Sequence, residues 1–142
     1  MAYAGDVGCR ECWGLLESDP RAQLIDVRTS AEWNFVGIPL LEPLGREAIL
    51  IEWQSYPSMS VNPAFVEMLQ GRLTVLDVAR DTPLLFLCRS GARSASAAAA
   101  ATAAGFARAY NVAGGFEGTR DPSGHRATVS GWKFEGLPWV QG

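Results

Sequence analysis

One short apolar run constrains the fold of this chain more than anything else in it. Pro83-Leu84-Leu85-Phe86-Leu87-Cys88 passes without a break into Arg89-Ser90-Gly91-Ala92-Arg93-Ser94. An alanine-rich stretch, Ala95 to Ala104, follows and is closed by Gly105. Such a run between turn signals reads as a strand buried on both faces. Alanine has the best helix propensity, and its small side chain lets a helix lie close on neighbouring strands. Gly105 stands where a helix commonly ends on a left-handed residue. Arg108-Ala109-Tyr110-Asn111-Val112 then reads as the next strand.

The rest of the chain repeats this alternation. Cys12, Leu15 and Leu16 share one face of a short helix near residues 9–17, which Ser18-Asp19-Pro20 stops. Gln23-Leu24-Ile25-Asp26-Val27 reads as a buried strand. Thr29 and Glu32 have capping-box spacing at a helix start. Residues 35–46 carry Gly37, Pro39, Pro43 and Gly45 and read as loop. Ala48 to Trp53 is a further strand. Asn62-Pro63 predicts a helix over 62–69, with another short one over Leu73 to Arg80. Gly114 to Gly118 is a turn, and 120–142 is a Gly/Pro-containing tail with Trp132 and Trp139 as docking anchors. Strands alternating with helices predict an α/β fold on a parallel sheet.

At 142 residues the chain is one domain's worth of protein, spanning 1–142 with its tail. Hydrophobic residues make up 48% and charged residues 19%, a globular balance. Net charge is −3, and no basic run calls for nucleic acid. The longest apolar stretch is alanine-rich and too short to span a bilayer. Met1-Ala2-Tyr3-Ala4-Gly5-Asp6 has neither the cationic start nor the apolar core of a secretory signal. With three cysteines, an odd number, the cytoplasm is the expected compartment.

The chemistry concentrates at Cys88. It ends a strand, where α/β sheets present ligand sites. Gly91 lets the backbone fold tightly, and a helix begins around Ala92 to Ser94. A loop wrapped before a helix N-terminus aims N–H groups inward and favours an anion, a thiolate sulfur included. Arg89 and Arg93 add two positive charges. A free cysteine is most often merely packed. Two arginines beside an apolar sulfur, however, call for an anion to neutralise them. Cysteine phosphatases place their arginine six positions after the cysteine; here that position is Ser94, and Leu87 replaces the usual preceding histidine. Phosphatase or arsenate-reductase chemistry is therefore the lesser reading.

Two other features read as structural. Cys9-Arg10-Glu11-Cys12 has CxxC spacing, but it starts a helix, and the remaining Cys and His residues are Cys88 and His125. Spacing without context is weak, and no metal or cofactor is expected. His125 lies in a loop and is assigned to a rim.

Cys88-Arg89-Ser90-Gly91-Ala92-Arg93 resembles the active-site loop of rhodanese-type sulfurtransferases. Leu24-Ile25-Asp26-Val27-Arg28, with Glu32-Trp33 and Gly37-Ile38-Pro39, is similar to another segment of that family. Val36-Gly37 stands where many relatives have Gly-His. Asn111-Val112-Ala113-Gly114-Gly115-Phe116 resembles the family's glycine turn, and Gly131-Trp132 through Gly136-Leu137-Pro138 its closing segment. The resemblance implies a three-layer α/β fold around a mostly parallel five-stranded sheet. It also implies a sulfane sulfur carried as a persulfide on Cys88. Arg89, Ser90, Gly91, Ala92 and Arg93 would bind the donor, with Asp26, Arg28 and Ser94 placed behind them. The implied partners are a small anionic sulfur donor such as thiosulfate and a thiol, cyanide or protein acceptor. A non-catalytic module that senses sulfur or binds a partner is the alternative.

Overall fold

The structure is a computed structural model and describes residues 2–141. Met1 and Gly142, the ends of the expected 1–142 unit, lie outside the described residues. In chain order the elements are β1 (Gly5–Val7), α1 (Cys9–Ser18), β2 (Gln23–Asp26), α2 (Ser30–Phe35), β3 (Ile38–Pro39), a 3₁₀ turn (Glu42–Leu44), β4 (Ile49–Leu50), β5 (Gln54–Ser55), β6 (Ser60–Val61), α3 (Phe65–Val75), β7 (Leu84–Leu87), α4 (Ala92–Ala103), β8 (Ala109–Val112) and β9 (Trp139–Val140).

Five strands form the main sheet in the order β1-β8-β7-β2-β4, and every pairing in it is parallel. The central strand β7 is buried along its whole length, as its unbroken apolar run requires. Its side chains alternate between two cores. Leu84 and Phe86 pack with Phe65, Leu69 and Leu73 of α3 and with Ala97, Ala98 and Ala101 of α4. Leu85 and Leu87 pack with Cys12 and Leu16 of α1 and with Trp132. Helices therefore cover both faces in three layers. Ala97, Ala98 and Ala101 of α4 are fully buried, so small side chains carry that helix's contact with the sheet.

Several elements differ from the sequence expectation. The helices read over 62–69 and 73–80 are one helix, α3, on which Phe65, Leu69 and Leu73 form a buried stripe at four-residue spacing. Asn62 does not cap it; its Oδ1 accepts from the N–H of Ala64 (3.0 Å), so an Asx turn precedes the helix. The 35–46 loop contains β3 and the 3₁₀ turn. Ladder pairing in 48–53 is confined to Ile49–Leu50, although Ile51 and Trp53 still donate to Asp26 and Val27 (both 3.1 Å). β1 had no signal in an apolar run, because its three residues are Gly, Asp and Val.

The tail folds back over the α1 face. Trp132 is fully buried, and its ring N–H donates to the Pro138 carbonyl (2.7 Å). β9 pairs antiparallel with β3, setting Trp139 opposite Pro39. Trp139 remains 39% exposed, so of the two predicted anchors it is the outer one. Gly37, where many look-alikes have histidine, has φ +115°. A Cβ there would lie 2.8 Å from the Val140 carbonyl and 2.9 Å from the Trp139 ring. The docked β9 leaves that position no room for a side chain.

Candidate active site

Cys88 follows the last residue of β7 and is 1% exposed. Its Sγ accepts from the backbone N–H of Gly91 (3.1 Å) and from the hydroxyl of Ser94 (3.1 Å). The sequence places Ser94 behind the loop; in the structure it touches the Cys88 sulfur. The turn between them depends on Gly91, whose φ is +116°. A Cβ there would stand 2.6 Å from the Ala113 carbonyl. α4 starts immediately afterwards, and Ala95 N–H makes its first bond, to the Gly91 carbonyl (3.1 Å). The N–H groups of the first turn have no intrahelical acceptor, and the positive end of the helix dipole lies with them. The strand end, the glycine and the helix start together bring two donors to the Cys88 sulfur.

Ser94 is buried and shares its single hydrogen between two acceptors. Its Oγ lies 2.6 Å from Asn111 Oδ1 on β8 as well as 3.1 Å from the sulfur. Asn111 is held by its other amide atom, since Nδ2 donates to Asp6 Oδ1 on β1 (3.0 Å). Two neighbouring strands thus fix the hydroxyl that meets Cys88.

The loop rests on the turn after β8. Phe116 N–H donates to the Cys88 carbonyl (2.8 Å), and Glu117 and Gly118 donate to the Arg89 carbonyl (3.0 and 3.1 Å). Gly115, at φ +69°, presses against that carbonyl; a Cβ would come within 2.3 Å of it. The Gly115 carbonyl in turn accepts from Trp132 N–H (2.8 Å). The tail therefore secures the turn, and the turn secures the loop.

The charges around the loop are paired more closely than sequence spacing shows. Glu32 and Arg93, far apart in the chain, form a fork-to-fork pair with N–O distances of 2.7 and 3.0 Å. Thr29 caps α2, and the Glu32 carboxylate also accepts from Thr29 N–H (3.1 Å), completing the predicted capping box. Burial pushes the Glu32 carboxyl up. The bonds from Arg93 and Thr29 outweigh burial and hold it below its ordinary value. Burial pulls the Arg93 guanidinium down, while Glu32, with Cys88 and Asp26 adding smaller contributions, carries it above its ordinary value. Arg89, the other loop arginine, is exposed.

Asp26 and Arg28 lie behind this arrangement as a fully buried ion pair (2.6 Å). Arg28 also donates to the Gly37 carbonyl (2.7 Å) and stacks over Phe116 at 4.2 Å. The pair ties the end of β2 to the segment that leads into β3.

Cys88, Arg89, Ser90, Ala92 and Arg93 line an open cavity of about 760 Å³. Phe35, Tyr56 and Met59 form much of its mouth, and Glu117 and Arg126 complete its charged lining. Sequence reasoning missed Tyr56, Met59, Glu117 and Arg126. These four come from the β5–β6 hairpin, the turn after β8 and the tail, and no motif links them. A second cavity, about 560 Å³, lies beside Leu41, Arg46 and Glu47 and contains no nucleophile.

Cys9 and Cys12 are buried in the α1-side core. Burial pushes the Cys9 thiol up to about 12 and the Cys12 thiol higher still, so both are ordinary thiols at neutral pH. Cys9 Sγ donates to the Gly115 carbonyl at 3.4 Å. His125 is exposed and is not part of the cavity lining. Among the described residues, no group of three or more His, Cys, Asp or Glu is placed to hold a metal, and no helix is long and apolar enough to cross a membrane.

Residues 5–142 match the family model described as the STR4 middle domain. The chain belongs to this family. A crystal structure of Rv0390 from M. tuberculosis is 48% identical and covers 99% of both chains, with a TM-score of 0.89. An uncharacterized protein of Rickettsia conorii is 34% identical over 129 residues, 91% of each chain. A chloroplastic rhodanese-like domain-containing protein of Arabidopsis thaliana is 28% identical over 96% of this chain but only 26% of its own length. The homodimeric polysulfide-sulfur transferase of Wolinella succinogenes shares the fold, with a TM-score of 0.58 at 23% identity over 96% of this chain and 78% of its own. The STR4 middle-domain chain described here therefore has a rhodanese-like fold, with its parallel five-stranded sheet between helical layers.

Proposed function

We propose that this chain is a sulfurtransferase that carries a sulfane sulfur as a persulfide on Cys88. The observation that carries the reading is the sulfur's position: it meets the Gly91 N–H and the Ser94 hydroxyl (both 3.1 Å) at the start of α4 and borders an open cavity. The Cys88 thiolate attacks the outer sulfur of a donor. With thiosulfate, the sulfur–sulfur bond breaks and sulfite leaves with its electron pair. The resulting persulfide anion takes the place of the thiolate before the same donors. An acceptor thiolate or cyanide then attacks the terminal sulfur and regenerates Cys88, giving an organic persulfide or thiocyanate. Two displacements replace one transfer, which predicts ping-pong kinetics. The rhodanese-like relative in Arabidopsis and the sulfur transferase in Wolinella support the class of chemistry.

The test is intact-protein mass spectrometry after exposure to thiosulfate or inorganic polysulfide. The expected result is a gain of about 32 Da, one sulfur atom, that disappears in Cys88→Ser and is discharged by cyanide. No gain with either of these or with an organic hydropersulfide refutes the proposal. Persulfide formed but discharged by neither thiol nor cyanide would make the chain a sulfur sensor. Hydrolysis of a phosphate ester without sulfur transfer would restore the phosphatase reading.

A further inference from the structure

The groups around Cys88 do not add up to a site that attracts a highly charged anion. Arg89, Arg93 and Arg126 share the cavity with Glu32 and Glu117. With Cys88 as the thiolate, three positive charges face three negative ones. Arg93 gives both terminal nitrogens to Glu32 (2.7 and 3.0 Å), and Arg126 donates to the Gly118 carbonyl (2.7 Å). Arg89 makes no ion pair among the described residues, but it stands on the exposed side of the loop. A dianion entering such a site gives up its hydration without matching charge.

The mouth has a different character. Phe35 is 77% exposed and Tyr56 71%, with Met59 beside them in the cavity lining. Large apolar side chains exposed together at a cavity mark a binding surface rather than a chance of packing. The cavity these side chains line measures about 760 Å³. A five-atom inorganic anion leaves most of it, and all of the apolar mouth, unused.

We propose that Glu32 sets the donor specificity of this site. By holding the charge of Arg93 it disfavours dianionic thiosulfate and selects an organic hydropersulfide, R–S–SH, whose apolar group lies on Phe35, Tyr56 and Met59. The proposal rests on the sulfurtransferase reading above and narrows its donor. The Cys88 thiolate attacks the outer sulfur of R–S–SH, and the sulfur–sulfur bond breaks. R–S⁻ leaves with the electron pair, and Cys88 becomes Cys–S–SH. Both sides carry one negative charge, and no oxidant or reductant is consumed.

The test is Glu32→Gln, read with two donors. Glutamine serves the same position of a capping box, so α2 keeps its cap while the Arg93 charge is released. kcat/KM is measured for thiosulfate and for benzyl hydropersulfide, with cyanide as acceptor. The wild-type protein prefers the hydropersulfide. In the variant the ratio moves toward thiosulfate by about tenfold or more, the effect of one unit charge on a dianion about 6 Å away in a water-like dielectric. An unchanged ratio, or a shift the other way, overturns the proposal. Wild-type protein alone supplies a second reading. Its thiosulfate kcat/KM stays within about twofold as salt rises from about 10 to about 500 mM, because there is no net field to screen. A several-fold fall marks a cationic site and also overturns the proposal. Failure of both donors to place sulfur on Cys88 refutes the sulfurtransferase reading itself, a result distinct from an unchanged ratio.

Discussion

Gly115→Ala tests whether the loop around Cys88 is held from beneath. Two costs arise at this position and can be separated. The first is conformational: φ is +69°, a region that costs an L-residue about 1–2 kcal/mol. The second is a collision. The new Cβ would stand 2.3 Å from the Arg89 carbonyl oxygen and 2.6 Å from the Ser90 nitrogen. Ordinary contact is about 3.5 Å, so loop and turn must separate by roughly 1 Å. Movement of that size at a reacting centre costs on the order of 100-fold in rate. The loss of the bonds from Phe116, Glu117 and Gly118 adds to the stability cost, for a total of about 2–4 kcal/mol at about 1 kcal/mol per bond partly lost. Stopped-flow measurement of persulfide formation gives the rate, and urea unfolding gives the stability. Gly124→Ala is the control: its φ is +82° but nothing lies within 4 Å of the added Cβ. That variant keeps the conformational cost of about 1–2 kcal/mol and loses no activity. If Gly115→Ala matches Gly124→Ala in both measurements, the turn does not support the loop and the argument fails.

Three further outcomes follow from the site. Ser94→Ala removes a donor from the Cys88 sulfur, and a bond to a charged acceptor contributes about 1.5–3 kcal/mol, so persulfide formation slows by at least about tenfold; an unchanged rate across pH 6–9 refutes the contact. Asp26→Asn strands Arg28 in a fully buried site and lowers unfolding free energy by about 3–5 kcal/mol, with a loss below about 1 kcal/mol counting against a structural role for the pair. The Glu32 carboxyl is held below its ordinary value, so its contribution to stability is complete above about pH 4.3 and is lost as pH falls through the lower folded value. The stability gap between wild type and Glu32→Gln therefore shrinks between neutral pH and pH 3, and a gap that widened on acidification would show the sign to be wrong.

The setting of Cys88 was legible because its determinants are local. Strand, turn glycine, helix start and cysteine occupy adjacent positions, and each leaves a mark in composition or periodicity. The capping box at Thr29 and Glu32 was legible for the same reason. What Glu32 does to Arg93 was not, because the two side chains meet only after β2 and β7 pair in register. Asn111 read as a strand residue opening the glycine-turn motif; its bond to Ser94 depends on β8 lying against β7. Short elements also escaped notice. β1 and β5–β6 are two or three residues each and are defined by their partners rather than by their own hydrophobicity. The merged helix α3 shows the opposite error, in which a continuous stripe was divided at Gln70-Gly71 although the glycine lies within the helix.

The bond from Trp132 to Gly115 also has a consequence for the order of events during synthesis. When residue 118 has left the ribosome, Cys88, its loop and the glycine turn are all present. The segment that holds the turn from outside, with Trp132 at its centre and β9 paired to β3, has not yet emerged. Until it arrives, the Gly115 carbonyl lacks its backbone donor, and the α1-side core lacks its largest side chain. The loop around Cys88 is therefore held from beneath only late, when Trp132 docks. A nascent chain carries Cys88 for some time before the turn beneath its loop is fully secured.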